Sequence, residues 1–173
     1  EHLQHLIAGA GRGQVGEDER VDVLEFEDFS LIHVYAPAGT GKKANLLEKL
    51  DYFNSLIDFI SQKKDENIII AGDFNIAHTE KDIFDKDTKV SFTDEEREVI
   101  DRIIDLGFND AYRLFSDDEK YSSWKNNDAK EADEGSRVDY FLVSKSLKDN
   151  VKSSDILDDV KSSKHAPIIL NLE

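Results

Sequence analysis

The stretch Ile68-Ile-Ile-Ala-Gly-Asp-Phe-Asn-Ile-Ala77 is an apolar run that breaks at Gly72 and then presents Asp73 and Asn75. The run predicts a strand, and residues two apart in an extended chain project to the same side. Ligand sites in open sheets form beyond the carboxyl ends of strands, where these oxygen-bearing side chains would suit Mg²⁺ and phosphate. The alternative is that Gly72-Asp73 merely starts a turn.

The composition is that of one ordinary domain. The chain has 173 residues, of which 39% are hydrophobic, and this is enough to bury a core. No run approaches the roughly 20 apolar residues that span a bilayer, and residues 1–10 lack the basic region of a signal peptide. We therefore expect a soluble intracellular protein, in the cytoplasm and nucleoid or in the nucleus, without a membrane partner.

Charge and cysteine content limit the ligands. The chain contains no cysteine, so any metal must be held by oxygen or imidazole groups. The net charge of −16 argues against broad attraction to nucleic acid, because such affinity comes from Lys and Arg neutralising phosphates. A role on nucleic acid would need a local basic patch, a divalent metal or a missing basic segment.

The N-terminal residues look different from the rest. The chain opens on Glu1 and has no methionine, from which we expect a segment to precede it. Residues 8–20 hold four of the nine glycines without periodicity, which is typical of a loop. We predict a glycine-rich lead-in at 1–20 and a single domain at 21–173.

Around the central strand, hydrophobic periodicity predicts alternating strands and helices. Thr93-Asp-Glu-Glu96 is a capping box that starts a helix ending at Gly107. The other predicted elements are a hairpin of 21–26 with 29–35, a helix near 44–63 leading into the central strand at 68–71, irregular chain at 78–89, a strand or turn at 110–115, an extended piece at 121–124, a loop at 126–136, a strand at 137–143, a helix or turn at 144–151, and a closing strand at 168–172.

One phosphate-binding motif can be set aside. The segment Ala36-Pro-Ala-Gly-Thr-Gly-Lys-Lys43 lies between a predicted strand and a predicted helix, as a P-loop would. That motif requires glycine where Ala36 stands and a hydroxyl residue where Lys43 stands. A nucleotide triphosphatase is therefore disfavoured.

Polar residues stand at the edges of several apolar segments. They are Tyr35, Asp73, Asn75, Asp139 and His165. A carboxylate beside a histidine fixes the tautomer of the imidazole and raises its basicity, as in a general base or a charged phosphate ligand. Singly, Asp139 and His165 are ordinary strand and loop residues, but the ordered set favours a site for phosphate chemistry.

The chain resembles the exonuclease III branch of the AP endonucleases, within the endonuclease/exonuclease/phosphatase superfamily. The likeness runs from Val21 to Glu173, about the C-terminal two-thirds of a family member. Gly-Asp-x-Asn and the final histidine are shared across the superfamily, whereas the motifs at 91–97 and 107–113 are typical of the DNA-repair branch. The motifs are Val34-Tyr-Ala-Pro37, Gly72-Asp-Phe-Asn-Ile76, Ser91-Phe-Thr-Asp-Glu-Glu-Arg97, Gly107-Phe-Asn-Asp-Ala-Tyr-Arg113, Trp124, Arg137-Val-Asp-Tyr-Phe-Leu-Val-Ser144 and His165-Ala-Pro167.

The resemblance implies a fold and an activity. The fold would be α/β, a partial four-layered α/β sandwich of the DNase I type, with mixed, mostly antiparallel sheets flanked by helices. The activity would be Mg²⁺-dependent hydrolysis of DNA, with Mn²⁺ as a substitute, either 5′ of an abasic site or at 3′ ends. Double-stranded DNA carrying abasic sites or 3′ ends would be the substrate.

The resemblance also implies roles for single residues. Asp73, Asn75 and His165 would be the metal-binding residues among those present, and Trp124 and Arg137 would bind substrate, with a core position open for Trp124 and favoured for Phe108. The catalytic set would be Tyr35 touching the phosphate, Asp73 positioning the attacking water, Asn75 holding the phosphate, and Asp139 orienting His165, which contacts the phosphate oxygens.

Several positions depart from the family pattern. Its metal-binding Asn and Glu on early strands have no equivalent in residues 1–20, and Lys164 stands where the family has Asp. Ala38 and Ser136 replace a usual Asn or Gln and a usual Trp. From these departures we expect weak or absent activity. Two alternatives stay open: a non-catalytic DNA-binding or structural relative, and a phosphatase or phospholipid phosphodiesterase of the same superfamily.

A domain that lacks the first third of the family fold would have an exposed sheet face. A sandwich without its first third would leave one face of the inner sheet uncovered, and such a domain would be marginally stable. We expect either that residues 1–20 replace part of that sheet or that a protein partner or a second copy covers it.

Overall fold

The computed structural model describes residues 4–8, 21–39, 43–63, 65–85, 92–160 and 163–173. Short 3₁₀ segments join several of its elements. The α-helices are α1 (Lys43–Ser61), α2 (Asp94–Asp105) and α3 (Asn127–Glu131). The strands are β1 (Gln4–Ala8), β2 (Val21–Glu25), β3 (Ser30–Tyr35), β4 (Ile68–Asp73), β5 (Phe108–Asp110), β6 (Ser123–Trp124), β7 (Gly135–Ser136), β8 (Asp139–Ser144), β9 (Val151–Ile156) and β10 (Ile168–Leu172).

The strands form two main sheets and a small ribbon. The larger sheet has the order β2-β3-β4-β8-β5, and the smaller has the order β1-β10-β9. Only the β3–β4 pair is parallel; the other strand pairs of the described residues are antiparallel. The predicted hairpin, the passage from β3 through α1 to β4, and the mixed, mostly antiparallel α/β class are confirmed.

The central strand β4 is buried on both faces. Ile68 and Ile70 belong to the core that also contains residues of α1 and α2, whereas Ile69 and Ala71 belong to the core shared with β9 and β10. Successive side chains of this strand therefore pack into two different cores, because they point to opposite faces of the sheet. The described residues form three layers, helices on a sheet on a sheet, which are part of the four-layered sandwich.

The second helix begins where the capping box predicts. The Thr93 hydroxyl accepts a hydrogen bond from the Glu96 amide at 3.2 Å, and Glu96 Oε2 accepts from the Thr93 amide at 2.8 Å. The helix ends before Gly107, whose φ of 100° is unfavourable for other residues. Within the described residues no helix is long and apolar enough to cross a membrane.

Several elements differ from the predictions. The expected loop at 126–136 contains α3, which the side chain of Asn126 caps by accepting from the Ala129 amide at 2.8 Å. The strand β9 was missed because its interior is polar, Lys152-Ser-Ser-Asp155, and its pairing with β10 makes it a strand. Residues 9–20, 40–42 and 86–91 lie outside the described residues.

The N-terminal range expected to be lead-in contains a strand. Residues 4–8 pair with β10 as β1 and extend the smaller sheet. Of the two ways to complete that sheet, a contribution from residues 1–20 is therefore confirmed. Coverage by a partner or a second copy stays a prediction.

Replacing Gly72 with alanine should destabilise the fold by about 3 kcal/mol, because strain and a clash add. Gly72 has a φ of 136°, and an added Cβ would strike the backbone oxygen of Val34 in the neighbouring strand. Gly107→Ala is the matched control, since its φ is 100° but an added Cβ would meet only Lys145 Cβ at 3.9 Å. Urea unfolding of both variants measures the difference, and equal losses would contradict the clash.

Candidate active site

Three polar residues lie side by side at one end of the larger sheet. Tyr35 of β3 is in register with Asp73 of β4, and Asp73 is in register with Asp139 of β8. Neighbouring strands lie about 4.8 Å apart, so the register brings together three predicted site residues. Tyr35 is 59% exposed, which leaves its hydroxyl accessible from solvent.

His165 reaches this edge from the loop before β10. Its Nδ1 lies 2.8 Å from Asp139 Oδ2, which is the predicted pairing of histidine and carboxylate. The same Asp139 oxygen accepts a hydrogen bond from the buried Ser122 hydroxyl at 2.7 Å. The Ser123 hydroxyl lies 3.0 Å from His165 Nε2, so both ring nitrogens have polar neighbours.

The two serines were not anticipated from the sequence. Ser122 Oγ also accepts from the backbone amides of Val138 and Asp139, each at 3.1 Å. These bonds join the β6 region to the start of β8 and hold the Asp139 carboxylate in place. Adjacent serines before a tryptophan carry no pattern that separates them from surface residues, so only the tertiary contacts identify them.

The ionisation of the site follows from these contacts. The hydrogen bond that His165 Nδ1 donates to the Asp139 carboxylate raises the pKa of His165 and favours the imidazolium form. Burial, together with the nearby charge of Asp139, raises the pKa of Asp73 to about 6. The site therefore offers a carboxylate that is largely ionised at neutral pH, beside a histidine whose protonated form is favoured by its carboxylate partner.

Asn75 adopts an unusual backbone conformation beside Asp73. Its φ is 51°, in the left-handed region that asparagine adopts more often than most residues other than glycine. Its amide donates to Asp73 Oδ1 at 2.8 Å, and its side-chain Nδ2 donates to the Ala36 oxygen at 2.8 Å. The turn after β4 therefore binds both the Asp73 carboxylate and the loop that follows β3.

A group of metal-ligand type lies at the same place. Ligand atoms of Asp73, Asp139 and His165 all lie within 4.8 Å of one another. This group shares two residues with the predicted set of Asp73, Asn75 and His165 and adds Asp139. Because the His165 pKa is raised by its bond to Asp139, the carboxylates are the better ligands for a hard cation.

Arg137 does not have the predicted substrate-binding position. It is 1% exposed, and its guanidinium group donates to Asp82 Oδ1 and to Asp110 Oδ2, each at 2.7 Å. Burial alone would raise the pKa of Asp82, but pairing with Arg137 lowers it to about 2. The family motif drew attention to this arginine, but only the packing shows that it is a buried cation with a structural role.

Trp124 is also buried, which corrects its substrate-binding assignment. It is 4% exposed, and Lys130 Nζ lies 4.5 Å from the centre of its ring. Its backbone amide donates to the Lys164 oxygen at 3.0 Å, next to His165. The backbone of Trp124 therefore supports the loop that carries His165. The predicted core position of Phe108, 3% exposed, is confirmed.

The described residues form an α/β architecture in which two carboxylates, a histidine and a tyrosine lie together at one end of the larger sheet. The profile of the Endonuclease/Exonuclease/phosphatase family matches residues 4–161. The chain belongs to this family.

Individual relatives agree with the family assignment. The chain is 35% identical to an exodeoxyribonuclease of Bacillus subtilis, over 98% of this chain and 70% of that protein. It is 33% identical to a DNA-(apurinic or apyrimidinic site) endonuclease of Dictyostelium discoideum, over 94% of this chain and 48% of that protein. A 3′-5′ exonuclease (NExo) from Neisseria meningitidis has the same fold, with a TM-score of 0.83 at 20% identity, covering 99% and 80% of the two chains.

Proposed function

We propose that this chain carries the catalytic part of a metal-dependent DNA-repair phosphodiesterase, of the AP endonuclease and 3′-5′ exonuclease type. The observation that supports it best is the 2.8 Å distance between His165 Nδ1 and Asp139 Oδ2. Asp139 is also in register with Asp73 on the neighbouring strand. The relatives are an exodeoxyribonuclease and an AP-site endonuclease by name. The proposed substrate is double-stranded DNA with an abasic site or a 3′ end.

The chain's own groups suggest the chemistry. Asp73, whose pKa of about 6 leaves it largely ionised at neutral pH, accepts a proton from the water that attacks phosphorus. The bond between phosphorus and the 3′ oxygen breaks, and the departing 3′ oxygen takes up a proton from solvent. The imidazolium of His165 donates a hydrogen bond to a phosphate oxygen as negative charge accumulates there. Asn75 and the exposed hydroxyl of Tyr35 bind the phosphate and orient it for in-line attack.

The acidic pair fits a divalent cation. The charge of Asp139 contributes to the raised pKa of Asp73, and a cation between the two carboxylates would relieve that repulsion. Asp73 and Asp139 would hold Mg²⁺, or Mn²⁺ in its place, and the side-chain oxygen of Asn75 could complete the set. Bound there, the metal supplies charge neutralisation at the phosphate.

A matched pair of proteins tests the proposal. The chain is incubated with a labelled duplex that contains one abasic site, with Mg²⁺ or with EDTA, beside the Asp73→Asn variant. We expect slow, Mg²⁺-dependent incision, because the described residues supply only two carboxylates to the metal. Incision no faster than that of the variant would contradict the proposal.

One observation favours a second function, DNA binding without cleavage. Lys164 precedes His165 in the chain and is exposed, so an ammonium group replaces the carboxylate that the family pattern has next to this histidine. An ammonium group cannot ligate a metal but can attract phosphate. Retained affinity for abasic duplex, without incision by the wild-type chain, would favour this function over the first.

Replacing Lys164 with aspartate should raise the affinity for Mg²⁺ by about tenfold, the size of effect that groups just outside a metal's ligands produce. The change removes a repulsive charge and adds an acceptor beside His165. Titration calorimetry measures it, with the equally exposed Lys148→Asp as a control for net charge. Equal gains in both variants would show a general effect of charge.

Location and assembly complete the proposal. Because the proposed substrate is cellular DNA, we propose that the protein acts inside the cell. We also propose that a protein partner or a second copy packs on the smaller sheet. Within the described residues that sheet has only three strands, which is consistent with further coverage. A molar mass of one chain at all concentrations in light scattering would contradict a second copy.

A further inference from the structure

A buried lysine lies behind the candidate active site. Lys49 of α1 is 1% exposed. Its Nζ donates to Glu96 Oε1 at 2.5 Å and to the backbone oxygen of Asn75 at 2.6 Å. A buried ammonium group is costly unless its donors are paired, so these two acceptors account for its presence in the core.

Glu96 connects this lysine to two other segments. It is 4% exposed, and the oxygen that does not bind Lys49 accepts from the Thr93 amide at the start of α2. On the other side, a Cβ added to Gly39 would lie 2.7 Å from Glu96 Oε1 and 2.9 Å from Lys49 Cδ. The loop after β3, which follows Tyr35, is therefore packed directly on the ion pair.

The bond to Asn75 bears on the position of Asp73. Asparagine adopts a left-handed backbone more readily than most residues, and surrounding contacts decide whether that one conformation persists. The ammonium group of Lys49 binds the oxygen of this residue, while the amide of the same residue binds Asp73 Oδ1. One residue thus links the buried cation to the carboxylate proposed to activate water.

We propose that Lys49 is a positioning residue, which holds the Asp73–Asn75 turn in its left-handed conformation through the backbone oxygen of Asn75. It touches neither substrate nor metal in this role. Glu96 keeps the ammonium group in place and ties it to the cap of α2. The kinetic part of this inference rests on the proposed nuclease function, whereas the structural part does not.

Two variants separate positioning from general stability. Lys49→Met removes the ammonium group but leaves the Glu96 carboxylate buried and unpaired, so it should unfold at lower urea concentration. Lys49→Met/Glu96→Gln removes that unpaired charge, and glutamine can still accept from the Thr93 amide. We therefore expect the double variant to recover most of the lost stability while the turn at Asn75 stays without its donor.

Amide hydrogen exchange and kinetics then test the proposal. In the double variant, the Asn75 amide should exchange about tenfold faster than in the wild type, as for the loss of one hydrogen bond, while the Ile70 amide of β4 should not change. The kcat for incision should fall by about 10- to 100-fold at nearly constant KM. Lys63→Met, which removes an exposed pair with Glu66, is the control and should change neither quantity.

Failure of this proposal can be distinguished from failure of the proposed function. Unchanged exchange at Asn75 in the double variant would overturn the proposal, and so would a kcat that recovers together with stability. If the wild-type chain incises no DNA, the proposed function fails, and the exchange of the Asn75 amide still decides whether Lys49 positions the turn.

Discussion

Replacing Asp139 with asparagine is expected to lower kcat for incision by about 10²- to 10⁴-fold, the range for losing a general acid–base group or its orienting carboxylate. Asparagine is close to aspartate in size, and its oxygen can accept from the Ser122 hydroxyl. It lacks the negative charge that raises the pKa of His165. The variant histidine should therefore lose its proton at lower pH and donate less well to the phosphate.

The titration of His165 separates this effect from loss of a metal ligand. In metal-free buffer, the imidazole C–H resonance of His165 should titrate at a lower pH in the variant than in the wild type. The raised pKa stabilises the wild-type fold below the usual pKa of histidine, about 6.5, and this contribution disappears as pH rises through the folded value. The stability difference between the two proteins should therefore be larger at acidic than at basic pH.

A second histidine–carboxylate pair provides the control. His78 Nε2 lies 2.8 Å from Asp101 Oδ1, and Asp101 is exposed. Asp101→Asn removes the same kind of contact away from the candidate site. A similar loss of kcat in both variants, or an unchanged titration of His165 in Asp139→Asn, would refute the role assigned to the pair.

Replacing Arg137 with methionine should cost about 3–5 kcal/mol of the free energy of unfolding, the usual effect of removing one partner from a buried ion pair. Methionine fills much of the volume, but it leaves Asp82 and Asp110 buried, at 0% and 7% exposure, without this cation. Arg113 still binds Asp82, with its NH2 group 2.6 Å from Asp82 Oδ1. Urea unfolding at neutral pH measures the loss.

The matched control is another arginine with a weaker contact. Arg102 donates to the exposed Asn54 side chain at 2.8 Å, so Arg102→Met should cost less than about 1 kcal/mol. At a temperature where Arg137→Met stays folded, its KM for DNA should equal that of the wild type. A stable Arg137→Met with a raised KM would restore the substrate-binding role that the structure contradicts.

Asp139 and Arg137 show that a sequence motif can identify residues without predicting their exposure. Asp139 and Arg137 come from the same short motif, Arg137-Val-Asp139. Asp139 is the first residue of β8 and Arg137 lies two residues before it, yet Asp139 is at the site and Arg137 lies among buried carboxylates. A sequence motif locates both residues, but the exposure of each depends on what packs over the strand end.

The sequence by itself determined the central strand, the parallel passage through α1, the capped start of α2 and the order of the polar strand ends. These features follow from local rules: hydrophobic period, capping chemistry and the break at Gly72. The meeting of Tyr35, Asp73 and Asp139 at one edge of the sheet depends on strand pairing, because β3 and β4 end there and the antiparallel β8 begins there in register. The catalytic roles of these residues stay predictions that the variants above test.

Only the tertiary structure decided which side chains support that edge. The bond of Ser122 to Asp139, the salt bridge of Lys49 to Glu96 and the burial of Arg137 join residues 17, 47 and 27 or more positions apart. A buried hydrogen bond or ion pair forms where packing excludes water from both partners, and no local pattern of the chain records which distant segment excludes it.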